Sequence, residues 1–446
     1  MMFNQIPIKK VRLGLTALIV LLVAALLPAM AVGRPKFAPA AAPAESLGDI
    51  CTEGATFDLE TRTGHLQTPD GNSVFMWTYA LAGGDFQIPS PILCVEEDTP
   101  ITINLTNNDP RVTEPVSLIF PGQIGVTATG GTAGLFTNEI GPGPGTVSYT
   151  FTPTEPGTYL YESGTNQHRQ VEMGLYGALI VRPAGAPDQA YADSSTRFDP
   201  EREVLLLIHD IDPDLHQAVE RNEEYDITTK HDRYWTINGR SFPDSIAPNN
   251  VPWLPAQPYG ALVRVNASAN NNTLPALIRY VNAGLENHPF HPHGNHMRVI
   301  GRDGRPLSLP FDNFATTIGS GQTYDLLFRW VNVENWGIGG APPRIADQVT
   351  YPNNINLTLK DGVTWYSGDP DLGVHATNSP PGTNQTNFDF PADTTIFNQC
   401  GEFYFPWHSH ALNEFQNFDE GFGGLATLVR VDPPPPASGP DLCAPR

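Results

Sequence analysis

Only four cysteines occur in the chain, Cys51, Cys94, Cys400 and Cys443, which excludes cysteine-rich metal cages and dense disulfide scaffolds. Basic residues are scarce as well. Lys and Arg number 25 against 47 Asp and Glu, a formal net charge of −22, and such a chain repels phosphate backbones and anionic membrane surfaces, so no nucleic-acid partner is expected. No apolar run long enough to span a bilayer follows residue 31. No G-x-G-x-x-G opens a helix, and neither G-x-x-x-x-G-K-[ST] nor G-x-S-x-G is present, which leaves phosphate cradles and the serine nucleophile elbow without support. Long helices are disfavoured because 44 prolines and 41 glycines punctuate the 446 residues. What is present, 40% hydrophobic and 10% aromatic residues, suffices for β-rich cores.

The first 31 residues run from Lys9, Lys10 and Arg12 into an apolar stretch, Leu13 to Leu27, that ends in Ala29-Met30-Ala31. This is the pattern of a secretory signal peptide, with an uncut N-terminal anchor as the alternative. The remainder is expected outside the cytoplasm, secreted, periplasmic or at the cell surface, where disulfides persist. Four cysteines allow three pairings. Cys51–Cys94 and Cys400–Cys443 are favoured because each then stays with one proposed domain, the second pinning the tail that follows it.

Residues 32–50 form an Ala/Pro-rich linker. Period-two segments then recur between Gly, Pro, Asn and Asp: VFMWTYAL (74–81), ITINLTN (101–107), TVSYTFT (146–152), TYLYE (158–162) and YGALIV (176–181). Alternation over four to eight residues marks half-buried strands. After a polar linker at 186–202 the pattern restarts with EVLLLI (203–208) and runs to LATLVRV (425–431). The expectation is two all-β domains, 51–185 and 203–435, the second interrupted by an Asn/Gly/Pro-rich insertion at about 331–398 and followed by a polyproline tail at 436–446. One short helix is expected, DPDLHQAVER at 212–221, opened by Asp-Pro.

Twelve histidines are present, and six fall in two clusters. NHPFHPHGNHM carries His288, His291, His293 and His296, and FYFPWHSHALNE carries His408, His410 and the following Glu414. Residues i and i+2 of a strand share a face, so each H-x-H presents two imidazoles to one side. Two such pairs on neighbouring strands can converge on a metal ion; imidazole suits copper, zinc or iron, and spacing does not distinguish copper from zinc. His65, His168, His209, His216, His231 and His375 are read as ordinary surface or core residues.

At these clusters the chain resembles the multicopper oxidases, which are built from cupredoxin domains. HPFHPHG is similar to their H-P-x-H-x-H-G motif, and WHSHALNE to H-C-H-I-x-x-H. PILCVEEDTPITINLTN, GTYLYESG, MGLYGALIV and GSGQTYDLLFRW resemble strands of the same family. The resemblance implies two cupredoxin-like Greek-key sandwiches, copper ligands at His291, His293, His408 and His410, and dioxygen with a small reductant as partners. It also exposes departures. Ser409 stands where the family has the type-1 copper cysteine, and Glu414 where it has a further histidine. His288 therefore loses its thiolate partner, and a blue-copper site needs Cys with two His. In the first domain SLIFPG and Glu162-Ser163-Gly164 replace two histidine pairs, with Ile119 and Pro121 at ligand positions.

The expectation is an extracytoplasmic copper-binding oxidoreductase with an altered centre. Glu162 would approach the four histidines within one chain or across the interface of a homotrimer. The alternatives are a non-catalytic copper-sequestering protein and a metal-free cupredoxin-fold surface protein.

Overall fold

The strand Glu203–Ile211 is buried along all nine residues, and its near-continuous apolar run is what a strand covered on both faces requires. Val204, Leu206 and Ile208 enter one core, while Leu205 and Leu207 enter another. This strand is the hinge of the architecture seen in the computed structural model, which describes residues 46–268, 274–331, 403–421 and 423–432. The expected signal peptide, the insertion from residue 332 to 398, Cys400, Cys443 and the tail lie outside the described residues.

Two larger sheets and a two-stranded ribbon, Thr132–Ala133 with Asn138–Glu139, form the first lobe. One runs in the order Cys51–Glu53, Ile92–Glu96, Tyr176–Arg182, Gly157–Glu162. The other runs Ser73–Leu81, Thr56–Gln67, Ile101–Asn107, Gly143–Phe151, Thr127–Gly130. Phe57, Trp77, Tyr79, Leu93, Tyr161 and Leu179 fill the space between them. The Cys51–Cys94 disulfide joins the edge strand to its neighbour.

Two six-stranded sheets form the second lobe. The first has the order Tyr234–Ile237, Glu203–Ile211, Ala276–Asn282, Thr323–Phe328, Met297–Arg302, Arg305–Asn313. The second has Thr316–Ile318, His288–Pro292, Phe403–Ser409, Ala426–Asp432, Val263–Ser268, Trp330–Val331. Trp235, Tyr280, Phe290, Trp407 and Val429 pack between these sheets.

The described residues belong to one compact unit, and the two lobes meet through a shared interior. Ile92, Tyr176, Ala178 and Ile180 of the first lobe share a core with Leu205, Leu207 and Val281 of the second. Buried Arg279 joins the lobes further, through Glu203 at 2.6 Å, Asp325 at 3.1 Å and the Thr158 hydroxyl at 2.9 Å. Arg182 of the first lobe reaches the same Glu203 at 2.8 Å.

The expected helix is present as Pro213–Glu220, with the Asp212 carboxylate accepting from the Asp214 and Leu215 amides and Pro213 at the first helical position. A second, four-residue helix, Gln167–Gln170, was not expected. No helix among the described residues is long and apolar enough to cross a membrane.

Candidate metal centre

The two histidine motifs lie on neighbouring antiparallel strands of one sheet. The register sets His291 opposite His408, with Phe290 opposite Ser409 and Pro292 opposite Trp407. Side chains alternate along both strands, so Phe290, Ser409 and Trp407 point into the core, each 0% exposed. His291, His293, His408 and His410 share the other face. The pairing extends past the strand ends through His293 N–H to the Pro406 carbonyl at 3.1 Å and His410 N–H to the Pro289 carbonyl at 2.8 Å. The indole of Trp407 also donates to the His293 carbonyl at 3.0 Å. Gly294, which ends the first motif, sits at φ +96°, and an added Cβ would meet the Trp330 ring at 2.5 Å, so glycine is the residue that fits.

The four rings form one cluster. Their centroids lie 4.6 Å apart for His291 and His293, 4.7 Å for His291 and His410, 5.2 Å for His293 and His408, and 5.3 Å for His408 and His410. His291 Nδ1 is 2.6 Å from the Phe314 carbonyl and His408 Nδ1 is 2.7 Å from the Ser409 carbonyl. A carbonyl only accepts, so both Nδ1 atoms are the protonated donors, and each neutral ring keeps its lone pair on Nε2. His293 Nε2 and His408 Nε2 face each other at 3.1 Å. Burial holds His408 below the usual imidazole range, and its neighbours His410 and His291 lower it further against the Ser409 carbonyl. The cluster opens to solvent at exposed His410, beside exposed Leu412 and Phe314.

This donor set fits a metal ion that takes imidazole ligands, copper and zinc alike. Two nitrogens bound to one tetrahedral ion at about 2.0–2.1 Å lie roughly 3.3 Å apart, close to the separation of the His293 and His408 Nε2 atoms. Backbone carbonyls on the opposite ring nitrogens are the outer partners that fix ligand orientation at metal sites.

His288 and Glu414 belong to the opposite, buried side. His288 is 0% exposed and Glu414 2%. His288 Nδ1 lies 3.0 Å from Glu414 Oε2, and His288 Nε2 lies 3.3 Å from Asp210 Oδ1. Burial opposes the charge of His288, but the hydrogen bonds to Asp210 and Glu414 raise it to about 9. Both ring nitrogens are donors in this state, so neither offers a lone pair to a metal. Ser409 Oγ, at the position of the missing thiolate, accepts from the Ala411 amide at 3.1 Å.

Asp210 had no motif to reveal it, although an aspartate inside the apolar run LLLIHDI is the signal that could have done so. It also accepts from the Leu285 amide at 3.1 Å and meets Lys230 Nζ at 3.4 Å. Lys230 lies among the carboxylates of Glu172, Asp210 and Asp232, whose oxygens approach within 4.8 Å of one another, and serves as their cation. Burial, with the charges of Asp210 and Glu172, lifts Asp232 to about 7.

In the first lobe, Ile119 and Glu162 are cross-strand partners, with Ile119 N–H to the Glu162 carbonyl at 2.8 Å and the reverse bond at 3.1 Å. The Glu162 carboxylate is 2.6 Å from Gln167 Nε2 in its own lobe. Burial raises it to about 7 against that hydrogen bond. The structure does not give it a bond to the four histidines.

Residues 68–186 match the family model for multicopper oxidases. The fold is similar to that of the blue copper oxidase of Nitrosomonas europaea, with TM-score 0.55 and 19% identity over 84% of this chain and 85% of that one. It is likewise similar to the multicopper oxidase mgLAC, with TM-score 0.54 and 18% identity over 85% of this chain and 87% of that one. A curated relative, named a probable nitrite reductase-hydroxylamine oxidoreductase fusion protein of Kuenenia stuttgartiensis, is 27% identical over 157 residues, 34% of this chain and 17% of that protein. The chain thus spans less than a fifth of that relative's length. Copper is the cofactor of the matched family, whose members take oxygen and a reductant as substrates. Residues 68–186 are thus similar to a multicopper oxidase domain, and the chain has the cupredoxin-like fold.

Proposed function

We propose that the protein is an extracytoplasmic copper-binding oxidoreductase of the multicopper-oxidase class, with its copper held on the four-histidine face of the second lobe and no type-1 centre. The observation that carries this is the convergence of His293 and His408 Nε2 at 3.1 Å, supported by the carbonyls that fix the Nδ1 atoms of His291 and His408 as donors. His293 and His408 would share one ion, with His291 and His410 beside it. Bound copper would supply one-electron redox chemistry. The chain itself supplies neutral imidazoles, excludes the Ser409 side from the reaction, and leaves an approach over Phe314 and Leu412 at the exposed edge.

Glu162 enters this reading from a neighbouring copy. Ile124, Leu135 and Phe136 of the first lobe are exposed, and Phe136 lies beside Gly164, so the surface around Glu162 suits burial against another copy's histidine face in a homotrimer. A dimer or trimer that leaves Glu162 remote from those histidines would remove it from the site.

One observation favours a second reading, a copper-binding protein without turnover. Ser409 supplies no thiolate and His288 is taken up by two carboxylates, so the family's electron-entry site is missing. The deciding experiment loads the purified chain with copper, counts bound metal, and measures dioxygen consumption with phenolic, metal-ion and nitrite donors. Stoichiometric copper with turnover supports the oxidoreductase. Copper without turnover supports the sequestering protein, and absence of metal defeats both.

A further inference from the structure

The interior of the second lobe holds an ion set that the proposed copper chemistry does not use. His288 contacts Glu414 on one side and Asp210 on the other, and these three residues come from three different segments. His288 begins the strand His288–Pro292, which carries His291 and leads to His293. Glu414 ends the short turn Leu412–Glu414, directly after the strand that carries His408 and leads to His410. Asp210 belongs to Glu203–Ile211, in the opposite sheet.

Glu414 is anchored in its turn. Its amide donates to the Ala411 carbonyl at 2.9 Å, and its own carbonyl accepts from Leu425 at 2.8 Å. Asp210 is equally fixed, by the Leu285 amide and by Lys230. A ring held at both nitrogens between two anchored carboxylates cannot rotate without breaking a charge-assisted bond. Its strand and the turn after His410 are thereby tied to each other and to the opposite sheet.

We propose that His288 is a positioning residue for the four-histidine face: its imidazole, clasped by Glu414 and Asp210, sets the spacing of the two ligand-bearing strands from inside the core, in the place where a metal would otherwise join them. It touches no ligand ring and acts through the backbone of both motifs. The effect is therefore on ligand geometry, distinct from any contribution of a reacting group. The inference rests on the reading of the outer face as a metal site, which the copper content of the unaltered chain tests separately.

The experiment uses the full-length chain, copper(II) as the probe, chelator competition for affinity and electron paramagnetic resonance for ligand geometry. His288→Gln should weaken copper binding at least about tenfold, the lower end of what loss of an outer-shell partner costs, and should change the copper hyperfine splitting. Glu414→Gln keeps an acceptor for His288 Nδ1 and should produce a smaller change in the same direction, which protects the test if His288→Gln folds poorly. Because both act through one contact, the double variant should lose little more than His288→Gln alone. Affinity and spectrum unchanged in either folded single variant, or fully additive losses in the pair, would overturn the inference. An unaltered chain that binds no copper would instead defeat the proposed function.

Discussion

The two lobes place equivalent cross-strand pairs at their candidate centres, and the pairs carry different chemistry. Ile119 faces Glu162 in the first lobe, while His291 faces His408 in the second. The serine that follows each second partner, Ser163 or Ser409, is 0% exposed in both lobes. Burial then acts on the remaining side chains with opposite sign. It raises the Glu162 carboxyl to about 7 and lowers the His408 imidazole, because a low-dielectric setting favours the neutral form of either group. One backbone plan therefore yields a proton-holding carboxyl in the first lobe and a lone-pair donor in the second. Of these two cross-strand pairs, the one in the second lobe carries imidazoles and the one in the first carries none.

His288 adds the counterexample within the second lobe. It is more buried than His408, yet raised to about 9, because two carboxylates outweigh the burial that opposes its charge. Partners as well as depth decide which histidine of a motif keeps a lone pair and which is a fixed cation.

Removing the donors should break the comparison between lobes most severely. His293→Ala with His408→Ala takes both convergent nitrogens away and should lower copper affinity by more than a hundredfold in chelator competition. Unaltered affinity would place the metal elsewhere. The next largest effect is expected on stability in the metal-free chain. His288→Gln leaves Asp210 and Glu414 without their shared cation, and breaking a buried ion set costs on the order of 3 kcal/mol, readable in denaturant unfolding as a reduced midpoint.

The same histidine sets a pH dependence. Its folded value of about 9 exceeds the ordinary 6.5, so its stabilisation is complete below about pH 6.5 and is lost as pH rises through 9. Unfolding measured between pH 6.5 and 9.5 should show this decline, and His288→Gln should flatten it. A variant with the same slope as the parent would remove His288 as its source.

The smallest effect belongs to the first lobe. Glu162 rises from 4.5 to about 7 on folding, so the isolated chain bears a cost for ionising it that is absent below pH 4.5 and complete above pH 7. Glu162→Gln should stabilise the metal-free chain at pH 8 and do little at pH 4.5, as read in denaturant unfolding at the two pH values. In copper-loaded protein the sign should reverse if Glu162 serves a neighbouring copy's metal, and measuring the two states side by side separates these roles.

Much of this was legible in the sequence, for identifiable reasons. H-x-H on a strand fixes a shared face before any fold is known, and the two motifs do meet on one surface with His291 opposite His408. The alternating segment 101–107 appears as a strand with those bounds. The strand Thr56–Gln67 was harder to read because Glu60, Arg62 and His65 interrupt its apolar pattern, and these side chains find partners only in the fold, Glu60 with Arg62 and His65 with Glu220. The clasp on His288 was not legible either. Asp210 lies 78 residues away from it and Glu414 lies 126 residues away, and local spacing carries no information about contacts made across sheets. The joined interior of the lobes escaped for the same reason, since Arg182, Glu203, Arg279 and Asp325 form their network only once the sheets are stacked.

The most direct test of the account is the spectrum and metal content of the purified, copper-loaded chain beside its His293→Ala/His408→Ala variant. The account predicts copper bound through imidazole nitrogen, visible as nitrogen coupling in the resonance spectrum, without an intense blue thiolate band, and lost in the variant. An intense blue band, or copper retained undiminished when both histidines are removed, would contradict it.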